Sequence, residues 1–266
     1  MDRDREGDDS VFAIFAVTSF VAYLGYRLRS LTRSGAPLTV VTGTVIGFSF
    51  GWFGLYLLGV FFSTSSLASK YRSHDKKGVD EIVEKTGARD AMQVLANGGV
   101  GILCALGYQL TNDPVYLYMY VVSIAAATSD TWGSEFGVLS KLKPRFMFTF
   151  KRVEPGTSGA VSTFGTVMSM FGALLIVVSS LVFIDLKVTH LLLLWVIGLT
   201  GSIIDTLLGA TFQRTFRCTV CGKLTEQKIH HDVPTTYVSG WRFLGNDAVN
   251  FLSVCGATLI CFLVFG

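Results

Sequence analysis

Four stretches of this chain run without a single Asp, Glu, Lys or Arg: Ser34–Ser69, Ala91–Asn112, Pro155–Ile184 and Ala248–Gly266. A helix needs about 20 mostly apolar residues to cross a bilayer, and inside it every backbone amide must be satisfied within the segment. Runs of this kind therefore indicate an all-α, polytopic membrane helix bundle. Composition agrees, because 15% charged residues and a mean hydropathy of +0.52 leave too little polar surface to cover a globule in water. A soluble enzyme, a nucleic-acid binder and a disulfide scaffold are all disfavoured, the last because Cys104, Cys255 and Cys261 fall inside apolar segments as small hydrophobes.

Taken in order, the apolar segments give about seven spans, at 11–27, 38–62, 91–111, 115–138, 158–184, 188–212 and 246–266. Residues 1–10, with two Arg and five acids, read as a short cytosolic tail, and 11–266 as one membrane domain with cytosolic loops 63–90, 139–157 and 213–245. On this count 18 of the 22 basic residues lie on the tail and those loops, and Arg27, Arg29, Arg33 and Lys187 lie opposite. The positive-inside bias then puts the N-terminus in the cytosol, and an endomembrane such as the endoplasmic reticulum is the expected location. The cluster Arg27–Arg33 fits that arrangement least well.

Carboxylates inside spans are costly and mark candidate sites. Asp130 and Glu135 close the fourth span, and Asp205 stands late in the sixth, all near the cytosolic face. Other polar motifs meet the same face. Thr64, Ser65, Ser66 and Lys70 end the second span. Lys151 and Arg152 lead through Gly156-Thr157-Ser158-Gly159 into the fifth, and Asn246, Asp247 and Asn250 open the seventh. Glycine-freed amides at a helix start suit a phosphate, and oxygen ligands at that depth suit Mg²⁺. Asp130, Glu135 and Asp205 are thus the candidate metal ligands, with Lys151 a catalytic cation. Each has a plainer reading too: Thr157 or Ser158 as an N-cap, Asn246 and Asp247 as capping residues.

The charged run Asp80–Asp90 reads as a solvated amphipathic helix, or otherwise as a place where Lys77, Arg89 and Gln93 contact a nucleotide. Cys218-Thr-Val-Cys221-Gly222, followed by His230-His231, looks like half a zinc knuckle with loose His spacing. Reduced thiols in a mobile loop are the simpler alternative.

The stretches Phe62–Lys70, Asp80–Gly99, Asp130–Lys141, Val153–Gly165, Gly201–Gln213 and Gly240–Ser253 resemble the transmembrane protein 19 family, whose relatives include the plant phytyl-phosphate kinases. The most specific are Asp-Thr-Trp-x-Ser-Glu from Asp130 and Gly-Thr-x-Gly from Gly156. The resemblance implies an integral-membrane kinase that carries a phosphoryl group from a nucleoside triphosphate, CTP or ATP, to a phytyl or polyprenyl monophosphate. It also implies Mg²⁺ and a nucleotide-binding set that includes Arg89, Gln93 and Asn97. The chain departs from the family pattern where Ser158 stands for the usual Asn, Ala160 for a Gly and Leu67 for a common Lys, and the insertion Cys218–His231 maps to no motif of the family. A transporter also buries carboxylates, though nearer the midplane, and a non-catalytic scaffold would explain packing glycines but not three buried acids.

Overall fold

Seven helices account for the apolar segments: α1 (Asp2–Arg27), α2 (Gly35–Lys70), α3 (Ala91–Thr111), α4 (Val115–Gly137), α5 (Thr163–Ser180), α6 (Val188–Thr211) and α7 (Asn246–Phe265). The computed structural model describes residues 2–76, 78–79, 81–85 and 87–266, without the side chains of residues 2–10 and of Lys76, so the nucleotide contact expected of Lys77 lies outside the described residues. Five of the helices, α2, α3, α5, α6 and α7, are long and apolar enough by themselves to cross a membrane. The α4 helix holds the centre. Every residue from Tyr120 to Ser129 is buried, and a helix covered on all sides is a core element. Small residues let its neighbours close in: a Cβ on Gly201 would lie 2.4 Å from Ala126 Cβ, and one on Gly172 would lie 2.9 Å from the Thr128 carbonyl oxygen. Large apolar side chains such as Phe20, Val196, Leu259 and Leu263 point outward, where lipid would meet them.

The α2 helix is folded on itself. Gly51 has φ 59 and ψ −147, a combination that only glycine adopts without strain. Leu55 comes back to within 3.0 Å of a Cβ on Gly47 and 3.9 Å of one on Gly43, contacts that a straight helix would forbid at that separation. The two arms, residues 35–50 and 52–70, are therefore antiparallel and each is about 25 Å long. Both ends of α2 lie at one end of the bundle, where Lys70 Nζ donates to the Leu28 carbonyl at 2.7 Å and Thr32 N–H donates to the Arg89 carbonyl at 3.0 Å. Along α1, Ile14 meets Gly47 and Gly25 meets Phe62, so α1 points its N-terminus toward the Gly51 end.

This hairpin corrects the expected sidedness. The turn carrying Arg27, Arg29 and Arg33 joins loops 63–90, 139–157 and 213–245 at the same end, while the N-terminus sits at the other. The split becomes 19 basic residues against Arg3, Arg5 and Lys187, and the cluster that fitted poorly now fits. The N-terminal segment also departs from a tail, because its backbone is helical from Asp2, as extending an existing helix costs little. Among the described residues, short strands occur in the loops. Strand β1 (Arg145–Phe146) pairs with β2 (Ala160–Val161). Strand β3 (Thr215–Arg217) lies between β4 (Leu224–Thr225) and β7 (Thr236–Ser239), and β5 (Ile229–His230) pairs with β6 (Val233–Pro234).

Candidate active site

The loop end of the bundle gathers three polar groups. The first centres on Asp205 of α6, which lies in electrostatic reach of Asp130 of α4 and of Glu226, with Ser253 of α7 beside it. With the Asn250 amide turned to satisfy both partners, its nitrogen donates to Asp205 Oδ2 at 3.0 Å and to the Asn246 carbonyl at 3.1 Å. Glu226 enters from the loop between β4 and β5, buried at 6% exposure. The Ser158 hydroxyl and the Glu84 N–H, the latter at 3.1 Å, both donate to it. Burial pushes the Glu226 carboxyl up to about 7, against the opposing pull of those two donors.

Glu135 belongs to a second group. Five residues after Asp130, it lies about 140° further round α4 and about 7.5 Å along it. There Ser69 Oγ donates to its Oε1 at 2.5 Å and Arg89 offers a guanidinium. Arg89 Nη1 also donates to Ser66 Oγ at 3.1 Å. The Arg89 backbone is held on both sides, its N–H by the Ser30 carbonyl and its carbonyl by Thr32 N–H, so the side chain has a defined origin. Arg89, Gln93 and Asn97, with Thr18, Thr39 and Thr42, supply the polar side chains of a largely apolar cavity lined by Val17, Val21, Leu31, Leu55, Leu58, Phe61 and Phe62, between α1, α2 and α3. Among the described residues, Ser65 Oγ, Ser129 Oγ and Trp132 Nε1 are buried with no hydrogen-bond partner.

The third group ties loops together. Lys85 Nζ pairs with Asp247 Oδ2 at 2.5 Å and Asp90 Oδ2 at 2.7 Å. Arg214 pairs with Glu84, and Glu84 Oε2 accepts the Asn246 N–H at 3.3 Å. Burial alone would lower the Lys85 ammonium, but Asp247 and Asp90 outweigh it and hold it above its ordinary value.

Several expectations change in this light. The expected metal trio divides, since Glu135 faces Ser69 and Arg89 while Glu226 joins Asp205. Lys70 fastens the turn at Leu28, and Thr64 spends its hydroxyl on the Val60 carbonyl at 2.8 Å. Gln93 closes a capping box with Asp90 at the start of α3, and Asn97 Nδ2 donates to the Gln93 carbonyl. The phosphate loop does not sit at a helix start: Ser162 caps α5, and residues 160–161 pair as β2. Gly156 and Gly159, at φ 88 and 75, pack tightly instead, since added Cβ atoms would lie 2.6 Å from Val79 Cγ1 and 2.4 Å from Ala210 Cβ. Thr157 closes its own turn on Glu154, and Lys151 and Arg152 stay exposed beside the β1 turn. Among the described residues, the charged run before Asp90 is irregular rather than helical: Glu81 pairs with Lys223 at the exposed surface, while Glu84 and Lys85 turn inward to Arg214 and Asp247.

Glu226 and the pairing of Glu84 with Arg214 went unnoticed in the sequence. Glu226 lies in Lys-Leu-Thr-Glu-Gln, a polar loop where a carboxylate looks solvated, and it is segments distant in the chain, at Glu84 and Ser158, that enclose it.

Fold and site together define an integral, multi-pass membrane protein with a polar site built at one end of its helix bundle. A family model described as integral membrane protein DUF92 matches residues 16–258, and the chain belongs to that family. It is similar to Protein PGR of Arabidopsis thaliana, 32% identical over 92% of each chain. An uncharacterized membrane protein of Methanocaldococcus jannaschii is 36% identical over 77% of this chain and 84% of its own. Protein VTE6, chloroplastic, of Arabidopsis thaliana is 21% identical over 89% of this chain and 66% of its own. No solved structure matches the chain.

Proposed function

We propose that this protein is an integral-membrane kinase that phosphorylates an isoprenoid monophosphate to the diphosphate. The observation that carries the reading is Arg89, a guanidinium set in the wall of a largely apolar cavity and beside Glu135, which itself lies about 7.5 Å along α4 from Asp130 of the carboxylate group. An isoprenoid phosphate has the matching chemistry, with an apolar tail for the cavity and a phosphate for Arg89 and Ser66. The resemblance to a family whose relatives include the plant phytyl-phosphate kinases favours the same reaction.

Asp130, Asp205 and Glu226 supply only oxygen donors, the set that Mg²⁺ prefers. Bound there, Mg²⁺ would neutralise charge on the donor phosphates. The chain's own residues position the two partners. Asn250 and Ser253 orient Asp205, and Ser158 with the Glu84 N–H orients Glu226. Arg89 fixes the acceptor phosphate while Glu135 and Ser69 hold its guanidinium side in place. In the transfer an acceptor phosphate oxygen forms a bond to the γ-phosphorus of CTP or ATP. The bond from that phosphorus to the bridging oxygen breaks, leaving the nucleoside diphosphate.

The loop end lies in the cytosol by its basic residues, the N-terminus on the far side, and an endomembrane such as the endoplasmic reticulum is the proposed site. The test is diphosphate formation by the purified chain from a panel of phytyl, geranylgeranyl and farnesyl monophosphates with CTP or ATP and Mg²⁺. Product with any pair supports the kinase. No product, together with no Mg²⁺-dependent thermal stabilisation by either nucleotide, would replace it with the transporter.

A further inference from the structure

We infer that loop 213–245 holds a structural zinc ion on Cys218, Cys221, His230 and His231. The ligand atoms of these four residues all lie within 4.8 Å of one another. Cys221 Sγ stands 3.8 Å from His230 Nδ1, and the two imidazole centroids are 4.2 Å apart. A tetrahedral ion with Zn–S near 2.3 Å and Zn–N near 2.0–2.1 Å sets its ligands about 3.3–3.8 Å apart. The cluster therefore needs a contraction of about 1.5 Å at most.

Two hairpins build the cluster. The first, β3 to β4, turns through Cys218-Thr219-Val220-Cys221-Gly222. Gly222 takes φ 72 there, and its N–H closes the turn on the Cys218 carbonyl at 3.0 Å. That fold points both sulfurs the same way and aims the Val220 N–H at Cys218 Sγ, 3.4 Å away. Amide donors of this kind are the outer-shell contacts that orient a metal-bound sulfur.

The second hairpin supplies the independent observation. His230 and His231 are consecutive, and in a regular strand their side chains would leave opposite faces. His231 and Asp232 instead adopt φ 54 and 60, a left-handed turn that usually calls for Asn-Gly. The turn swings the His231 ring back beside His230. The hairpin between β5 and β6 needs positive φ at both turn residues, so the same turn that reverses the chain sets the two rings side by side. Cys218 and His230 are buried and Cys221 and His231 exposed, so the ion would be seated from within and capped from the solvent side.

The site has a job in the fold. Glu226 lies between the Cys pair and the His pair in the chain, and Thr225 Oγ1 docks the same segment on the Glu81 carbonyl at 2.9 Å. Zinc would staple the two hairpins and fix the loop that delivers Glu226 beside Asp205. The binding claim stands on the four ligands; only this consequence rests on the kinase reading.

The full-length protein, purified in detergent with reductant and no chelator, should carry about one zinc per chain by elemental analysis. Replacing zinc with Co²⁺ should give the intense visible bands of a tetrahedral site and a sulfur-to-cobalt charge-transfer band. H231A should cut zinc to a small fraction of the wild-type content. In wild type, a zinc chelator should speed tryptic cleavage at Lys223 and Lys228 several-fold. Zinc-free wild-type protein that gives no tetrahedral Co²⁺ spectrum, or a disulfide between Cys218 and Cys221 in reductant, would overturn the inference. None of these readouts depends on turnover, so failure of the zinc site and failure of the kinase are separable.

Discussion

Lys70, the last residue of α2, donates from Nζ to the carbonyl oxygen of Leu28, a residue that precedes the start of the same helix, at 2.7 Å. Only a helix folded back at Gly51 can bring those residues together. The contact places the Arg27–Arg33 turn, the serines of the second arm and the long loops at one end of the bundle. Epitope tags after Arg29 and after Lys223 should thus be protected or digested together, and a tag at Met1 should behave oppositely. Protease protection in sealed vesicles reads the difference. Tags at Arg29 and Lys223 on opposite sides would refute the hairpin.

Gly51→Ala tests the same feature energetically. Nothing lies within 4 Å of an added Cβ, so any cost comes from the backbone at φ 59 and ψ −147. The expected loss is about 1–3 kcal/mol, read as a lowered melting temperature in detergent. An unchanged melting temperature would mean that the break at Gly51 is not strained.

Asp130→Asn and Asp205→Asn should each abolish diphosphate formation while the protein still elutes as a folded species. Glu226→Gln should have the same direction of effect, because its carboxylate shares the Asp205 site. Activity assays alongside size-exclusion profiles check this. Full activity in Glu226→Gln would remove that residue from the site.

Arg89→Ala should raise the apparent KM for the isoprenoid phosphate more than that for the nucleotide, with a loss of about 1.5–3 kcal/mol for a charged hydrogen bond. Arg89→Lys should recover only part, since a point charge does not replace a guanidinium fork. Equal effects on both substrates would detach Arg89 from the acceptor.

Asp90 carries a pH dependence. Burial would raise its carboxyl, but Lys85 and the Gln93 and Met92 N–H groups outweigh it and hold the group below its ordinary value. A carboxylate depressed in the folded state contributes stability above its unfolded pKa, near 3.9, and that stability is lost as pH falls through the folded value. Thermal melts should therefore drop below about pH 4, and Asp90→Ala, which also removes the α3 cap, should melt lower at neutral pH by about 0.5–2 kcal/mol. A flat difference between wild type and Asp90→Ala across that range would exclude Asp90 as the source.

Apolar runs and their charged punctuation already state in the sequence that this is a membrane helix bundle with carboxylates near one face, because hydropathy is a property each residue carries wherever it lies. Asp130 and Asp205 stand out for the same reason, as charges in apolar surroundings. Gly51 does not, since it shares its spacing with Gly43, Gly47 and Gly54 and nothing local separates a packing glycine from a reversing one. Nor does the meeting of Glu135 with Ser69 and Arg89, the burial of Glu226 or the meeting of Cys218 with His231. Each of these depends on which helix face or loop arrives from elsewhere in the chain. Contacts between residues far apart in sequence form only when the bundle closes, so the partners of Arg89 and Glu226 were decided by tertiary structure alone.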